Sequence, residues 1–107
     1  MDIEINLSQI SMQEFENFTL IDVREEYERE IQPIDSNPSL HFPLSEFDGD
    51  TKTLEKEKKY LVVCAHGMRS AGFTEYLREN GFSQTYSIPQ GIETLYQYIN
   101  EHSSKSL

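Results

Sequence analysis

The chain has 107 residues, 36% of them hydrophobic, and a formal net charge of −10 from nineteen Asp and Glu against nine Lys and Arg. That is enough chain for a single domain over 1–107, with the core over about 9–100, and too little for a second. The acidity argues against nucleic acid and against an anionic membrane surface as direct partners, and no apolar run is long enough to span a bilayer.

The first residues, Met1 to Asn6, are acidic and lack the basic-then-apolar pattern of a secretory signal. At the other end Ser106 separates Lys105 from Leu107, so Ser104 to Leu107 is not a peroxisomal address. With one cysteine there is no internal disulfide and no resolving thiol, which fits a reducing compartment and predicts a cytoplasmic protein.

Ile3, Ile5 and Leu7 alternate with polar residues and predict an edge strand. Ser11 followed by Glu14 is a capping-box pattern, so a short helix starts there. The run Phe18 to Val23 predicts a central strand, with Asp22 and Arg24 at its C-terminal end. In open parallel sheets ligands sit beyond that end of the strands. Asp22 and Arg24 therefore either contact a site or tie neighbouring loops together. Glu25 to Ile31 reads as a short acidic helix whose carboxylates form a solvated face. Pro33 and Pro38 bracket a loop, and Leu40 to Leu44 resumes as a strand and its exit. His41 reads as a strand-end residue rather than a base. Ser45 to Phe47 suggests one helical turn, Asp48-Gly49-Asp50 a turn, and Thr53 to Lys59 a charged helix or loop.

Tyr60 to Val63 is a short apolar, β-branched run and predicts a buried parallel strand. Cys64 follows it. Ala71 to Asn80 then predicts a helix, stopped by Gly81. A tight loop feeding a helix N-terminus aims backbone N–H groups into one bowl, which suits an anion and favours a thiolate. Gly67 supplies the positive φ such a curl requires. Arg69 adds a charge able to grip an oxyanion with two parallel N–H bonds. These features point to a nucleophilic cysteine facing an anionic substrate; the alternative is a buried structural cysteine. Phe82 and Thr85 to Ile88 give one more strand, Pro89-Gln90-Gly91 a turn, and Ile92, Leu95, Tyr96 and Ile99 an amphipathic last helix. His102 to Leu107 reads as frayed. No repeat, metal-ligand spacing or phosphate-binding glycine motif is present.

Cys64-Ala65-His66-Gly67-Met68-Arg69-Ser70 resembles the C-x-x-G-x-R-S active-site loop of single-domain rhodaneses, a family of sulfurtransferases. Leu20 to Glu28 is similar to that family's I-D-V-R-E signature, and Tyr86 to Ile92 to its late strand and turn. The family's G-H-I-x-G-A segment is absent, and Gln32 to Ser39 stands in its place. Gln90 replaces a second glycine before Gly91, and Leu95 or Tyr96 a tryptophan. Phosphatases of similar fold carry a C-x5-R loop; here Cys64 to Arg69 is C-x4-R, six residues, a smaller bowl better matched to one sulfur atom than to a phosphoryl group.

Alternating strands and helices predict a three-layer α/β fold. The resemblance implies a rhodanese-like fold with a mostly parallel central sheet of about five strands. It also implies that Cys64 takes sulfur from a small anionic donor such as thiosulfate and becomes a persulfide. Backbone N–H groups from Ala65 to Ser70 would stabilise the added charge, and Arg69 would orient the donor. His66 either binds the donor or is an exposed loop residue. Met68 lies in the same loop, Ser70 reads as a helix cap, and in the family Asp22 and Arg24 chiefly tie loops together. No cofactor and no metal are implied. The acceptor would be cyanide, a thiol or a sulfur-acceptor protein. The contrasting expectation is a non-catalytic rhodanese-like module that binds a partner through its acidic surface.

Overall fold

Hydrogen bonding between strands sets the layout, and strand order decides which loops meet. The computed structural model describes residues 3–34 and 38–103. Four strands, β1 (Phe18–Asp22), β2 (Ser39–His41), β3 (Lys59–Val63) and β4 (Thr85–Ser87), form one wholly parallel sheet in the order β2-β1-β3-β4. The chain steps from β1 to β2 on one side and returns to β3 on the other. The crevice opened by that reversal lies beyond the C-terminal ends of β1 and β3.

Side chains alternate between the two faces of the strands. Leu20, Leu61 and Val63 pack with Phe15, Leu95 and Tyr98 on one face. Ile21, Tyr60 and Val62 pack with Phe73, Leu77 and Phe82 on the other, and Cys64 continues that parity. Helices α1 (Met12–Glu16) and α4 (Ile92–Ser103) supply the first layer, and α3 (Met68–Glu79) the second. Helix α2 (Glu26–Ile31) follows β1. The three-layer α/β architecture with a parallel central sheet is thus present, and the four strands among the described residues are close to the five or so expected.

Ile3 to Leu7, expected as an edge strand, pairs only briefly. It reaches the sheet edge through one parallel bridge, Glu4 to Ser87, with Ile5 N–H donating to Ser87 O at 3.0 Å and Ser87 N–H to Ile3 O at 2.8 Å. Pairing stops there because the Asn6 side chain accepts from Ser8 N at 3.0 Å and turns the chain into a 3-10 helix over Leu7–Gln9. Other local signals are realised as read. Ser11 Oγ accepts from Glu14 N at 3.1 Å while Glu14 Oε1 accepts from Ser11 N at 3.0 Å, the reciprocal cap of α1. Gly81, at φ +96°, ends α3 in a Schellman turn, with Phe82 N–H donating to Leu77 O at 3.0 Å and Gly81 N–H to Arg78 O at 3.1 Å. Ser45 to Phe47 forms turns rather than a helix, and Thr53 to Lys58 is loop. Helix α4 continues through His102 to Ser103, past the point where fraying was expected; Ser104 to Leu107 and Asp35 to Asn37 lie outside the described residues.

Candidate active site

Cys64 leaves the C-terminal end of β3 and is 1% exposed. The next residues curl back over it. Gly67 takes φ +94° as the N-cap of α3, so the helix begins at Met68, three residues earlier than Ala71. The curl brings Gly67 N–H to 3.0 Å and Ser70 N–H to 3.3 Å from Cys64 Sγ. Both donors belong to the first turn of a 12-residue helix, whose unpaired N–H groups and dipole favour negative charge there. Ser70 is not the cap. It sits inside the first turn, fully buried, with its hydroxyl 3.5 Å from Cys64 Sγ, 3.1 Å from Gly67 O and 3.4 Å from Ser87 Oγ. Burial by itself would push the thiol up. Hydrogen bonding with the Ser70 hydroxyl and with the Ser70, His66 and Gly67 backbone outweighs it, and the thiol lies below its ordinary value. His66 and Met68 are exposed on the rim.

The turn after β4 backs the loop. A Cβ on Gly67 would stand 2.0 Å from Pro89 O, and one on Gly91, at φ +84°, would stand 2.2 Å from Ala65 O and 2.8 Å from Cys64 O. Each glycine lets one backbone lie flat on the other, so the two turns hold each other's shape. Gly67→Ala is expected to lower stability by at least about 2 kcal/mol, from left-handed strain plus the clash. For a chain of this size that is a fall of roughly 10 °C in Tm, measurable by circular dichroism. A change within a degree or two would show that the loop re-forms around the added methyl.

Asp22 and Arg24, at the end of β1, are 0% and 1% exposed. Arg24 Nε donates to Asp22 Oδ1 at 2.9 Å and Nη2 to Asp22 Oδ2 at 2.9 Å. The same guanidinium donates to Gln32 O at 2.7 Å and to Glu28 O at 3.4 Å, which anchors α2. His41 Nε2 lies 2.8 Å from the Arg24 carbonyl. This is a loop tie, and neither residue hydrogen-bonds the thiol.

Arg69 does not stand free at the bowl. Its Nη1 and Nη2 donate to Glu28 Oε1 and Oε2, each at 2.9 Å. Glu28 is held in place by Glu25 N–H, which donates to Oε1 at 2.9 Å, and Glu25 is in turn bonded by the Ser45 hydroxyl. The acidic helix is therefore a solvated face at Glu26 and Glu30 but not at Glu28, which sequence reading missed. The Arg69 hydrogen bonds hold the Glu28 carboxyl down at about 2 against the opposing effect of burial, and the Glu28 carboxylate raises Arg69. A carboxyl lowered by folding adds stability above its unfolded value and loses it as pH falls towards the folded one. The stability difference between the wild type and Glu28→Gln should therefore shrink as pH drops from 4.5 to about 2. Urea unfolding across that range checks it, and a difference independent of pH would contradict the pairing.

The sequence residues expected at one site, Cys64 to Ser70, do converge on the mouth of β3, while Asp22 and Arg24 support α2 beside it. Glu28, Ser87 and Gly91 join them from elsewhere in the chain. Among the described residues no group of three or more His, Cys, Asp or Glu is placed to hold a metal ion, and no helix is long and apolar enough to cross a membrane.

Comparison with known proteins agrees with this geometry. Residues 8–97 match the family model of the rhodanese-like domain. The chain is 32% identical over 78 residues to thiosulfate sulfurtransferase GlpE of Coxiella burnetii, covering 73% of this chain and 71% of that protein. It is 35% identical over 77 residues to the putative sulfurtransferase YtwF of Bacillus subtilis, covering 72% of each. The crystal structure of a rhodanese-related protein from Thermoplasma volcanium superposes with a TM-score of 0.72 at 34% identity, over 92% of this chain and 91% of that one. The cysteine loop, the parallel sheet that presents it and these matches together establish that the chain belongs to the rhodanese-like domain family.

Proposed function

We propose that this protein is a single-domain sulfurtransferase that carries sulfur as a persulfide on Cys64. The observation that carries the reading is the pair of N–H groups, Gly67 at 3.0 Å and Ser70 at 3.3 Å, aimed at one buried sulfur at a helix N-terminus. In the first step the Cys64 thiolate attacks the outer sulfur of a donor such as thiosulfate. A new S–S bond forms, the donor's S–S bond breaks, and sulfite leaves with the electron pair of the broken bond. The negative charge moves from Cys64 Sγ to the outer sulfur, within the cradle of N–H groups from Ala65 to Ser70. In the second step cyanide, a thiol or a sulfur-acceptor protein takes that outer sulfur and the Cys64 thiolate returns. The reaction needs no cofactor.

Arg69 contributes positive charge to a protein of net charge −10 and orients the donor through guanidinium N–H groups that Glu28 does not use. Glu28 acts as a positioning residue for it. Ser70 Oγ tunes the thiol. The rim residues His66 and Met68 meet the donor, and Asp22 with Arg24 hold the surrounding loops. The C-x4-R loop favours single-atom transfer over phosphate ester chemistry. A lone thiol that must stay reduced suits the cytoplasm.

The test is intact-protein mass spectrometry before and after thiosulfate. The expected result is a gain of one sulfur on Cys64, removed by cyanide with release of thiocyanate. A protein that accepts no sulfur from any donor would instead be a binding module of rhodanese fold.

A further inference from the structure

Ser87 ends β4 and is fully buried, on the same face of the sheet as Val62, its register partner in β3. An apolar side chain would fill that position without the cost of burying a hydroxyl. The partner the structure gives the Ser87 hydroxyl is Ser70 Oγ, at 3.4 Å, and Ser70 Oγ lies 3.5 Å from Cys64 Sγ. Residues from β4, α3 and the end of β3 thus form one buried line that ends on the sulfur. The Ser87 backbone is pinned by the N-terminal segment: its N–H donates to Ile3 O at 2.8 Å and its carbonyl accepts from Ile5 N–H at 3.0 Å. The hydroxyl is therefore held in place from outside the active-site loop.

Each hydroxyl has one proton to donate and lone pairs that accept. While Cys64 is a thiol, its S–H donates to Ser70 Oγ, and the Ser70 proton goes to Gly67 O at 3.1 Å. A thiolate has no proton and only accepts. The Ser70 hydroxyl must then turn to the sulfur to stabilise it. Gly67 O can release that proton, because it keeps the helical bond from Ala71 N–H at 3.2 Å. Thr74 does not compete, since its hydroxyl donates to Ser70 O at 2.7 Å rather than to Oγ. Once Ser70 has turned, its Oγ can accept from Ser87. A separation of 3.4 Å is long for O–H···O, so this bond is weak in the thiol form and tightens when charge on the sulfur polarises the line.

We propose that Ser87 is a positioning residue for the Cys64 thiolate: its hydroxyl donates to Ser70 Oγ and so holds the Ser70 proton on the sulfur whenever the sulfur carries charge. The thiolate opens and closes the sulfur-transfer cycle, and the part of Ser87 in turnover rests on that reading. Charged and titratable groups at this end of the sheet come from other elements. They are Arg69 on α3, Glu28 on α2 with Glu25 before it, His66 in the loop, Asp22 and Arg24 after β1, and His41 on β2. Ser87→Ala changes none of them. It removes one oxygen from a strand whose backbone hydrogen bonds remain.

The experiment titrates Cys64 by the ultraviolet absorbance of its thiolate and by the pH dependence of alkylation with iodoacetamide. It compares the wild type, Ser87→Ala, Ser70→Ala and the double variant, with thermal melting to confirm that each is folded. Ser87→Ala is expected to raise the apparent pKa of Cys64 by about 0.5, the share one further donor adds to a hydrogen bond on a charged group. On the Ser70→Ala background the same substitution should change nothing, because the link to the sulfur has gone. For thiosulfate with cyanide, kcat/KM should fall about threefold in Ser87→Ala below the thiol pKa. It should approach the wild type above that pKa, where both proteins are thiolates; a merely structural defect lowers it at every pH. No shift in Ser87→Ala, an equal shift with and without Ser70, or a loss of rate uniform across pH would overturn the inference. A titration as expected, with no sulfur gained by Cys64 from thiosulfate in any of the four proteins, would overturn the sulfur-transfer reading and leave Ser87 positioning the thiolate.

Discussion

Cys64→Ser is expected to abolish thiosulfate:cyanide sulfur transfer, with a loss of about 10³-fold or more, while the fold survives. Serine places an oxygen where the sulfur stood, under the same Gly67 and Ser70 N–H groups. The alcohol stays protonated at neutral pH, is a far weaker nucleophile, and cannot hold a transferable sulfur atom. The change in volume is small, and the hydroxyl keeps partners in the buried cluster with Ser70. Tm should therefore move by only a few degrees, since only about 1 kcal/mol of packing is at stake. Activity and melting must be read on the same preparation. Substantial turnover by a folded Cys64→Ser protein would sink the persulfide mechanism, because the chain has no second cysteine to take over.

A large effect on stability is expected one strand away. Asp22→Ala should destabilise the protein by about 3–5 kcal/mol, the range for a buried ion pair that loses one partner. Asp22 accepts from Arg24 Nε and Nη2 at 2.9 Å each and from the Arg24 backbone N–H at 3.0 Å, all out of contact with water. Without it the Arg24 guanidinium is a buried charge left with two carbonyl oxygens. Removing the charge as well, in Asp22→Ala with Arg24→Met, should recover part of the loss, since an apolar pair avoids the uncompensated charge. Urea unfolding of the three proteins checks both statements. A loss under about 1 kcal/mol for Asp22→Ala would mean that Arg24 reaches water or another acceptor. The effect should also reach the site, because Arg24 anchors the helix that carries Glu28 to Arg69. Arg69 should then become more mobile in the Asp22→Ala protein.

These expectations separate what a chain specifies locally from what folding adds. The cap of α1 by Ser11 and Glu14, the stop of α3 at Gly81 and the apolar runs of β1 and β3 were all legible in the sequence, because each depends on residues within a few positions of one another. The cysteine loop was legible for the same reason: strand, Cys64, Gly67 and helix are contiguous, and Gly67's positive φ makes the curl that turns N–H groups onto the sulfur. Local pattern was weaker where two local choices competed. Ile3 to Leu7 has the alternation of a strand, but the Asn6 side chain captures Ser8 N–H and ends the pairing after one bridge.

Contacts between distant residues were decided only in three dimensions. Glu28 is one glutamate in an acidic run, indistinguishable by neighbours from Glu26 and Glu30. It alone meets Arg69, 41 positions away, because β1 and β3 are adjacent and deliver both segments to the same sheet end. Gly91 read as an ordinary turn residue, and only the packing of that turn on Ala65 and Cys64 forbids a side chain there. The sequence by itself determined the position of the cysteine sulfur and its local cradle of N–H groups. The tertiary structure decided what surrounds it: an arginine already paired and an apolar groove along α3, assembled from segments brought together by strand order rather than by adjacency in the chain.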